Sequence, residues 1–183
     1  VGAHTAGGQG ITDAILAGVD SLEHAHWLTE EQADLMAREG TFYVPTFTVV
    51  ARQLEVGQET LGASDDVWNW LARAMDAKWE SLARAQKAGV RIAVGTDAGF
   101  VVDHSENARE LQFLVDGGLT PMEAIVAATS TAAELMDMPD VGLVQPGKLA
   151  DLLIVDGDPL AGIGVLHAEG GIERVMKGGE FVQ

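Results

Sequence analysis

V-R-I-A-V-G-T-D-A-G, residues 90–99, is the stretch that decides how the fold is interpreted. Val90, Ile92 and Val94 form a short β-branched run, which is typical of a buried parallel strand. The run ends in Asp97 between two glycines, so the strand would deliver one carboxylate to the edge of a sheet, where the backbone can turn sharply. Asp97 is therefore a candidate for chemistry, although a single strand-end aspartate more often stabilises a turn or caps the next helix.

Two histidines occupy the same kind of position earlier in the chain. His4 ends one short strand-like segment, and His24 ends a second at residues 19–23. These segments repeat as strand, turn and helix at spacings of about 20 residues, which is typical of βα units on a parallel sheet. Because the carboxyl ends of such strands open on one face, we expect His4, His24 and Asp97 to converge there. One strand-end histidine alone would be interpreted as a core or loop residue; three such positions favour a site for zinc or a similar divalent ion.

Composition and charge limit the classes of function. Of the 183 residues, 47% are hydrophobic, which fits a folded α/β protein and not a disordered chain. The formal net charge of −17 argues against a nucleic-acid partner or an anionic membrane partner. The sequence has no cysteine, so a metal would be held by nitrogen and oxygen ligands. No apolar run reaches the roughly 20 residues of a membrane span and no signal peptide is recognisable, so we expect a cytoplasmic protein.

Capping residues and glycines predict where helices begin and end. Capping boxes are predicted at Thr29, Thr120 and Thr131, and a long helix is predicted from Ser64 to Ala88. Apolar residues at spacings of three and four predict that one stripe of this helix faces the core, whereas Trp70 lies off the stripe, in a surface contact or a pocket. The stripe consists of Trp68, Leu71, Met75, Trp79 and Leu82.

From Gly142 onward the pattern changes to short strand-like segments separated by turns. Residues 150–155 and 172–176 have strand character, and a hairpin turn follows at residues 177–180. A smaller β-element therefore follows the βα series.

Five motifs taken together resemble the amidohydrolase superfamily, and in particular its imidazolonepropionase-like and metal-dependent dipeptidase branch. The motifs are V-G-A-H-T, S-L-E-H-A, G-T-D-A-G, the stretch His104 to Thr131, and G-L-V-Q-P-G-K-L-A-D-L-L-I-V-D-G-D-P-L. The resemblance runs over essentially the whole chain and is specific in this combination. It implies an α/β fold in which residues 1–141 are the C-terminal half of a TIM (β/α)8 barrel. Strand five would end at residues 1–4, strand six would lie at 22–23, strand seven at 42–44 and strand eight at 92–97. Residues 142–183 would be the returning strands of a small β-sandwich domain.

The same resemblance implies the roles of the three strand-end residues. His4 and His24 match the two histidines that bind the second metal of a binuclear centre. Asp97 matches the aspartate that ligates the first metal and takes the proton from the attacking hydroxide. The implied activity is hydrolysis of an amide or peptide bond in a small molecule or peptide, by water that the metal activates.

The sequence departs from the family pattern at two places. The His-x-His pair of the first strand is missing, and so is the bridging carboxylated lysine or glutamate of strand four. A metal site needs about four ligands, and this chain offers three at most. We therefore expect the 183 residues to be the C-terminal portion of a longer protein and not to hold a competent binuclear zinc centre alone. The missing N-terminal half of the barrel is the expected partner, and exposed barrel edges favour self-association into a homo-oligomer.

Three further residues are candidates for substrate binding, although a purely structural role is the alternative for each. Tyr43, next to the end of strand seven, would hydrogen-bond the substrate carbonyl or lie in the core. His104, in the loop after Asp97, would contact the substrate, and His26 would line the pocket or serve the fold. Other functions also stay open: hydrolysis of a cyclic amide or an ester on the same barrel, or a non-catalytic scaffold.

Overall fold

The computed structural model describes residues 1–99 and 101–182, which form a mixed α/β structure with two separate three-stranded sheets. The first sheet is parallel, and its strands lie side by side in the order in which they occur in the chain. Its strands are β1 (Gly2–Gly7), β2 (Ser21–Trp27) and β3 (Phe42–Val44), connected by helices α1 (Gln9–Leu16) and α2 (Glu30–Glu39). The strand–helix alternation that the sequence predicts is therefore confirmed in this part of the chain.

Helices follow the first sheet, and a second, antiparallel sheet follows them. The helices are α3 (Phe47–Val56), α4 (Gln58–Leu61), α5 (Asp65–Ala88), α6 (Arg109–Asp116), α7 (Pro121–Ala128) and α8 (Ser130–Leu135). The second sheet consists of β4 (Leu152–Val155), β5 (Ile172–Lys177) and β6 (Glu180–Phe181). None of the helices in the described ranges is both long enough and apolar enough to cross a membrane.

Two of the three predicted capping boxes are present. Thr29 caps α2 reciprocally with Gln32, and Thr120 caps α7 reciprocally with Glu123. The third prediction is wrong, because Thr131 lies inside α8 and does not begin it. The residue at the start of α8 is Thr129, whose hydroxyl donates to the Ile125 carbonyl at 2.7 Å and makes no cap hydrogen bond.

The strand predicted at residues 92–97 is reduced to a single parallel bridge between Ile92 and Tyr43. The Tyr43 N–H donates to the Arg91 carbonyl at 2.9 Å, and the Ala93 N–H donates to the Tyr43 carbonyl at 3.0 Å. Pairing stops there because β3 ends at Val44. The N–H of Val94, on the other side of the segment, donates to the carbonyl of Ala127 in α7. The segment still lies beside β3 as the fourth position of the sheet.

The apolar stripe of α5 faces the core as predicted. Leu71 and Leu82 are buried, and the ring of Trp79 lies 4.4 Å from that of Phe47, measured between centroids. The main core lies between the parallel sheet and the helices, and a smaller apolar cluster joins α3 to α5. Large apolar side chains remain exposed on the second sheet, among them Leu153. They are compatible with self-association, which stays a prediction.

Gly95 lies where the segment after Ile92 passes β3, and it allows no side chain there. A Cβ at Gly95 would lie 2.5 Å from Cγ1 of the buried Val44. Gly95→Ala should therefore lower the free energy of unfolding by about 1–3 kcal/mol, measured by chemical denaturation. The matched control is Gly10→Ala in α1, where the added Cβ meets nothing within 4 Å and should leave stability unchanged or slightly higher.

A second variant tests the cause of this loss. If the clash with Val44 is responsible, adding Val44→Ala should cost less in the Gly95→Ala background than in the wild type. Equal stability of Gly95→Ala and the wild type would contradict the packing described here.

Candidate functional site

A pocket of about 400 Å³ opens at the carboxyl ends of β1 and β2 and is bounded on its other sides by α3 and α5. Its walls differ in character. The strands and the segment after Ile92 contribute mainly polar side chains, the polar wall, whereas α3, α4 and α5 contribute mainly apolar ones, the apolar wall. The polar side chains are His4, His24, His26, Gln53 and Asp97, and the larger apolar ones are Val49, Val50, Leu61, Val67, Trp70 and Leu71. The three strand-end residues singled out in the sequence are thus brought together around one cavity.

An irregularity in β2 places the histidines. Thr5 of β1 pairs with His24, but the next pair joins Gly7 to Trp27, so β2 has one extra residue between them. Such bulges redirect side chains and are over-represented near functional sites. The ring centroids of His4 and His24 are 4.5 Å apart with the rings edge to face, and the His24 and His26 rings stack at 5.6 Å.

Left-handed backbone concentrates at this pocket. Among the described residues, five other than glycine have positive φ, and four of them line the pocket or adjoin it. Those four are His24 (φ 65°), Ala25 (φ 34°), Thr46 (φ 54°) and Asp97 (φ 53°). Each costs about 1–2 kcal/mol relative to ordinary backbone, so the surrounding structure must hold it. Strain concentrated in this way is a reason to regard the pocket as functional.

The imidazole of His24 is fixed by its neighbours. Its Nδ1 lies 2.6 Å from the hydroxyl oxygen of Thr46, so Nε2 is the ring nitrogen left for a ligand. The Tyr43 hydroxyl donates to the backbone carbonyl of His24 at 3.2 Å. Burial, followed by the nearby charge of Lys78, lowers the pKa of His24 from 6.5 to about 4. The ring is therefore neutral near pH 7, which is the form that binds a metal.

His26 lies deeper, against an aromatic wall. Its ring meets Trp70 at right angles, 5.1 Å between centroids, and only 5% of the residue is exposed. Its buried Nδ1 makes no hydrogen bond to any residue that the structure describes. Burial is the main cause that lowers its pKa from 6.5 to about 3, and Lys78 again adds to it. His26 lines the pocket, and its role in substrate binding stays a prediction. Trp70 also lines the pocket, although it is 39% exposed.

Asp97 presents an exposed carboxylate at the polar side of the pocket. Its negative charge acts on His24 and on Lys78, raising the pKa of both against the opposing effect of burial. Two imidazoles and a carboxylate fit a divalent cation in their chemistry. Within residues 1–99 and 101–182, however, no three His, Asp or Glu side chains are grouped so that they could hold a metal ion. The ligand roles of His4, His24 and Asp97 therefore stay predictions.

Two of the substrate-binding candidates lie away from the cavity. Tyr43 is fully buried, and burial raises its pKa. Because its hydroxyl already donates to the His24 carbonyl, the structure favours the alternative that Tyr43 is a core residue. His104 is exposed, in the short 3-10 turn His104–Glu106, and does not line the pocket. The Tyr43 side chain thus reaches only the backbone of His24, and neither Tyr43 nor His104 is among the described residues that line the pocket.

Sequence reasoning missed two buried charged residues beside the site, Lys78 and Glu110, both 0% exposed. A signal for them exists in the sequence. Lys78 is four residues before Leu82 on the apolar face of α5, and Glu110 is four residues before the buried Leu114 in α6. A charge on the buried face of a helix must be paired or hydrogen-bonded, and this identifies it as a residue with a specific partner.

Comparison with known proteins gives the site a context. A family model described as "Amidohydrolase family" matches residues 1–182. Ochratoxinase from Aspergillus niger is 38% identical over 184 aligned residues, which cover 99% of this chain and 37% of that protein.

Two solved structures cover the whole of this chain. One is a Xaa-Pro dipeptidase with bound methionine in its active site, with a TM-score of 0.89, 36% identity and 44% of that chain covered. The other is a prolidase complexed with N-methylphosphonate-L-proline, with a TM-score of 0.91, 32% identity and 45% of that chain covered. This chain therefore spans less than half the length of these relatives.

The lowered pKa values of His24 and His26 predict how stability depends on pH in the metal-free chain. As the pH falls, both histidines take up protons near pH 6.5 in the unfolded state. In the folded state His24 is protonated only near pH 4 and His26 only near pH 3. The stability that the neutral rings contribute is thus fully present above about pH 6.5 and is lost towards pH 4. The loss is at most about 1.4 kcal/mol per pH unit per histidine, and less where solvent screens the ring.

Chemical denaturation between pH 7 and pH 5, with a chelator present, measures this dependence. His26→Gln should weaken it relative to the wild type, and the exposed His167 provides the matched control, since His167→Gln should leave it unchanged. A pH dependence in His26→Gln equal to that of the wild type would contradict the burial argument.

Proposed function

The chain belongs to the amidohydrolase family, as its motifs predicted, and we propose that it is part of a metal-dependent hydrolase that cleaves amide or peptide bonds. Hydrolysis of such bonds is supported by the relatives, which include a prolidase and a Xaa-Pro dipeptidase. The observation that carries the proposal is the shared pocket of His4, His24 and Asp97 at the carboxyl ends of parallel strands.

The proposal includes the architecture. Residues 1–141 form the half of a TIM barrel that contains strands five to eight, and residues 142–183 form strands of a small β-sandwich domain. The parallel order of β1, β2 and β3, extended by the bridge to Ile92, supports the first part. The separate antiparallel sheet supports the second. On this proposal the remaining metal ligands and the rest of the barrel would lie outside this chain, which covers 37% of ochratoxinase and 44% of the Xaa-Pro dipeptidase.

Each polar residue has a defined task in the proposed reaction. His4 and His24 would hold the cation through imidazole nitrogens, and zinc is the ion most suited to nitrogen and oxygen ligands of this kind. When bound, the metal lowers the pKa of water and polarises the scissile carbonyl. Asp97 accepts a proton from the attacking water and passes it to the leaving nitrogen, a role that suits a carboxylate exposed to the pocket.

The apolar wall narrows the substrate class to a small molecule or short peptide with an uncharged, apolar group beside the scissile bond. Val49, Val50, Leu71 and Trp70 line the same pocket as the histidines. Among the described lining residues there is no lysine or arginine that would attract an acidic group at this position. Burying an apolar substrate group against this wall provides binding energy in proportion to the area that leaves water.

Metal binding tests the proposal against the scaffold alternative, which is favoured by the lack of a preformed group of three ligands among the described residues. We expect His24→Ala to weaken Zn²⁺ binding by about tenfold or more, because it removes a ligand; isothermal titration measures this. His167→Ala removes an exposed histidine of the same chemistry and should bind Zn²⁺ as the wild type does. Equal binding by His24→Ala and the wild type would favour the scaffold.

Activity of the isolated chain completes this test. We expect the 183 residues to hydrolyse an apolar dipeptide or N-acyl amino acid no faster than zinc in buffer does, since three ligands do not complete the binuclear centre. Rapid, His24-dependent hydrolysis by this chain alone would show that the expectation of an incomplete centre is wrong.

A further inference from the structure

Two fully buried charged side chains, from different helices, hold the same turn between β3 and α3. On one side Glu110 of α6 accepts hydrogen bonds from the N–H groups of Phe47 and Thr48, both at 2.7 Å. It also accepts the hydroxyl of Thr48 at 2.5 Å. These are the first N–H groups of α3, which have no partner within the helix, so Glu110 completes the beginning of that helix.

Lys78 of α5 holds the other side of the turn. Its Nζ donates to the Pro45 carbonyl and to the hydroxyl oxygen of Thr46, the latter at 3.3 Å. The ammonium also lies 5.5 Å from the centroid of the Phe47 ring. Burying a lysine costs desolvation free energy, and a well-packed apolar side chain of the same size would often serve the fold as well. The position of this lysine therefore calls for another explanation.

The turn that these two residues hold presents one side chain to the functional pocket. Thr46 has left-handed backbone, with φ of 54°, which is unfavourable for a β-branched residue. In this conformation its hydroxyl oxygen lies 2.6 Å from Nδ1 of His24. Lys78, Thr46 and His24 thus form a continuous hydrogen-bonded chain from the buried face of α5 to the polar wall of the pocket.

We propose that Lys78 is a positioning residue, which acts through Thr46 to hold the imidazole of His24 in one orientation and one tautomer, with Nε2 as the nitrogen that Thr46 does not engage. Lys78 does not touch the pocket itself, and it is not among the residues that line it. A hydroxyl alone can donate to Nδ1 or accept from it, but the Thr46 oxygen already accepts from Lys78, so its proton is directed at Nδ1. The neutral ring then carries its own proton on Nε2, and a metal that binds there displaces it. The inference rests on the proposed function only in treating His24 as a ligand; the orientation of the ring is a property of this chain.

Imidazole ¹⁵N chemical shifts of the metal-free 19.3 kDa chain at one pH report the tautomer of His24 directly. The His24 signals are assigned by their loss in His24→Gln. We expect a single tautomer in the wild type and in Thr46→Ser, which keeps the hydroxyl. Thr46→Val keeps the shape but removes the hydroxyl, and Lys78→Met keeps the length but removes the charge; both should give averaged shifts of two tautomers.

The control separates positioning from stability. Leu82→Ala, at a buried position on α5 one turn from Lys78, should lower stability yet leave the single tautomer intact. If Lys78→Met does not fold, Lys78→Leu, which also removes the donor, takes its place, and the Thr46→Val and Thr46→Ser pair tests the link from Thr46 to His24 separately. Unchanged shifts in Thr46→Val or in a folded Lys78→Met variant would overturn the inference, as would averaged shifts in Leu82→Ala.

Zn²⁺ titration of the same variants distinguishes a failure of the positioning inference from a failure of the proposed function. If His24 is a ligand, Thr46→Val should bind Zn²⁺ about 10–100-fold more weakly than Thr46→Ser, the usual effect of losing the partner of a ligating histidine. If the wild type keeps one tautomer but its Zn²⁺ affinity does not depend on His24, the proposed function fails while the positioning inference stands.

Discussion

The parallel pairing of β1 with β2 is the constraint on which the site depends. It brings residues 20 positions apart in sequence into adjacent strands, so that the rings of His4 and His24 meet at the same edge of the sheet. The extra residue in β2 then forces His24 and Ala25 into left-handed backbone. That conformation costs about 1–2 kcal/mol per residue, and it persists because the strand is locked by a core in which Leu22 and Tyr43 are completely buried.

Features that depend on local sequence could be predicted. Thr29 and Gln32, or Thr120 and Glu123, form their hydrogen bonds within one helical turn, so the capping boxes need no knowledge of the rest of the fold. The strands that carry His4 and His24 could be located for the same reason. Their predicted ends were wrong, because β1 continues to Gly7 and β2 to Trp27. The prediction at Thr131 failed because the preceding helix, α7, ends only just before it, and Thr129 begins the next one.

Features that depend on distant partners could not be predicted. The bond from Lys78 to Pro45 joins residues 33 positions apart, and that from Thr48 to Glu110 joins residues 62 apart. Sequence pattern shows a charge on an apolar helix face but does not show which turn it holds. Tyr43 and His104 illustrate the same limit, because nearness to a strand end along the chain does not decide whether a side chain enters the core, the pocket or solvent.

The central claim is that two imidazoles and one carboxylate at the mouth of a parallel sheet bind a divalent cation. Crystals of the protein soaked in zinc, with diffraction data collected above and below the zinc absorption edge, test it most directly. The account predicts an anomalous peak in the pocket about 2.0–2.1 Å from an imidazole nitrogen of both His4 and His24, with Asp97 facing it. Ordered zinc elsewhere in the crystal, with no peak within reach of either histidine, would contradict it.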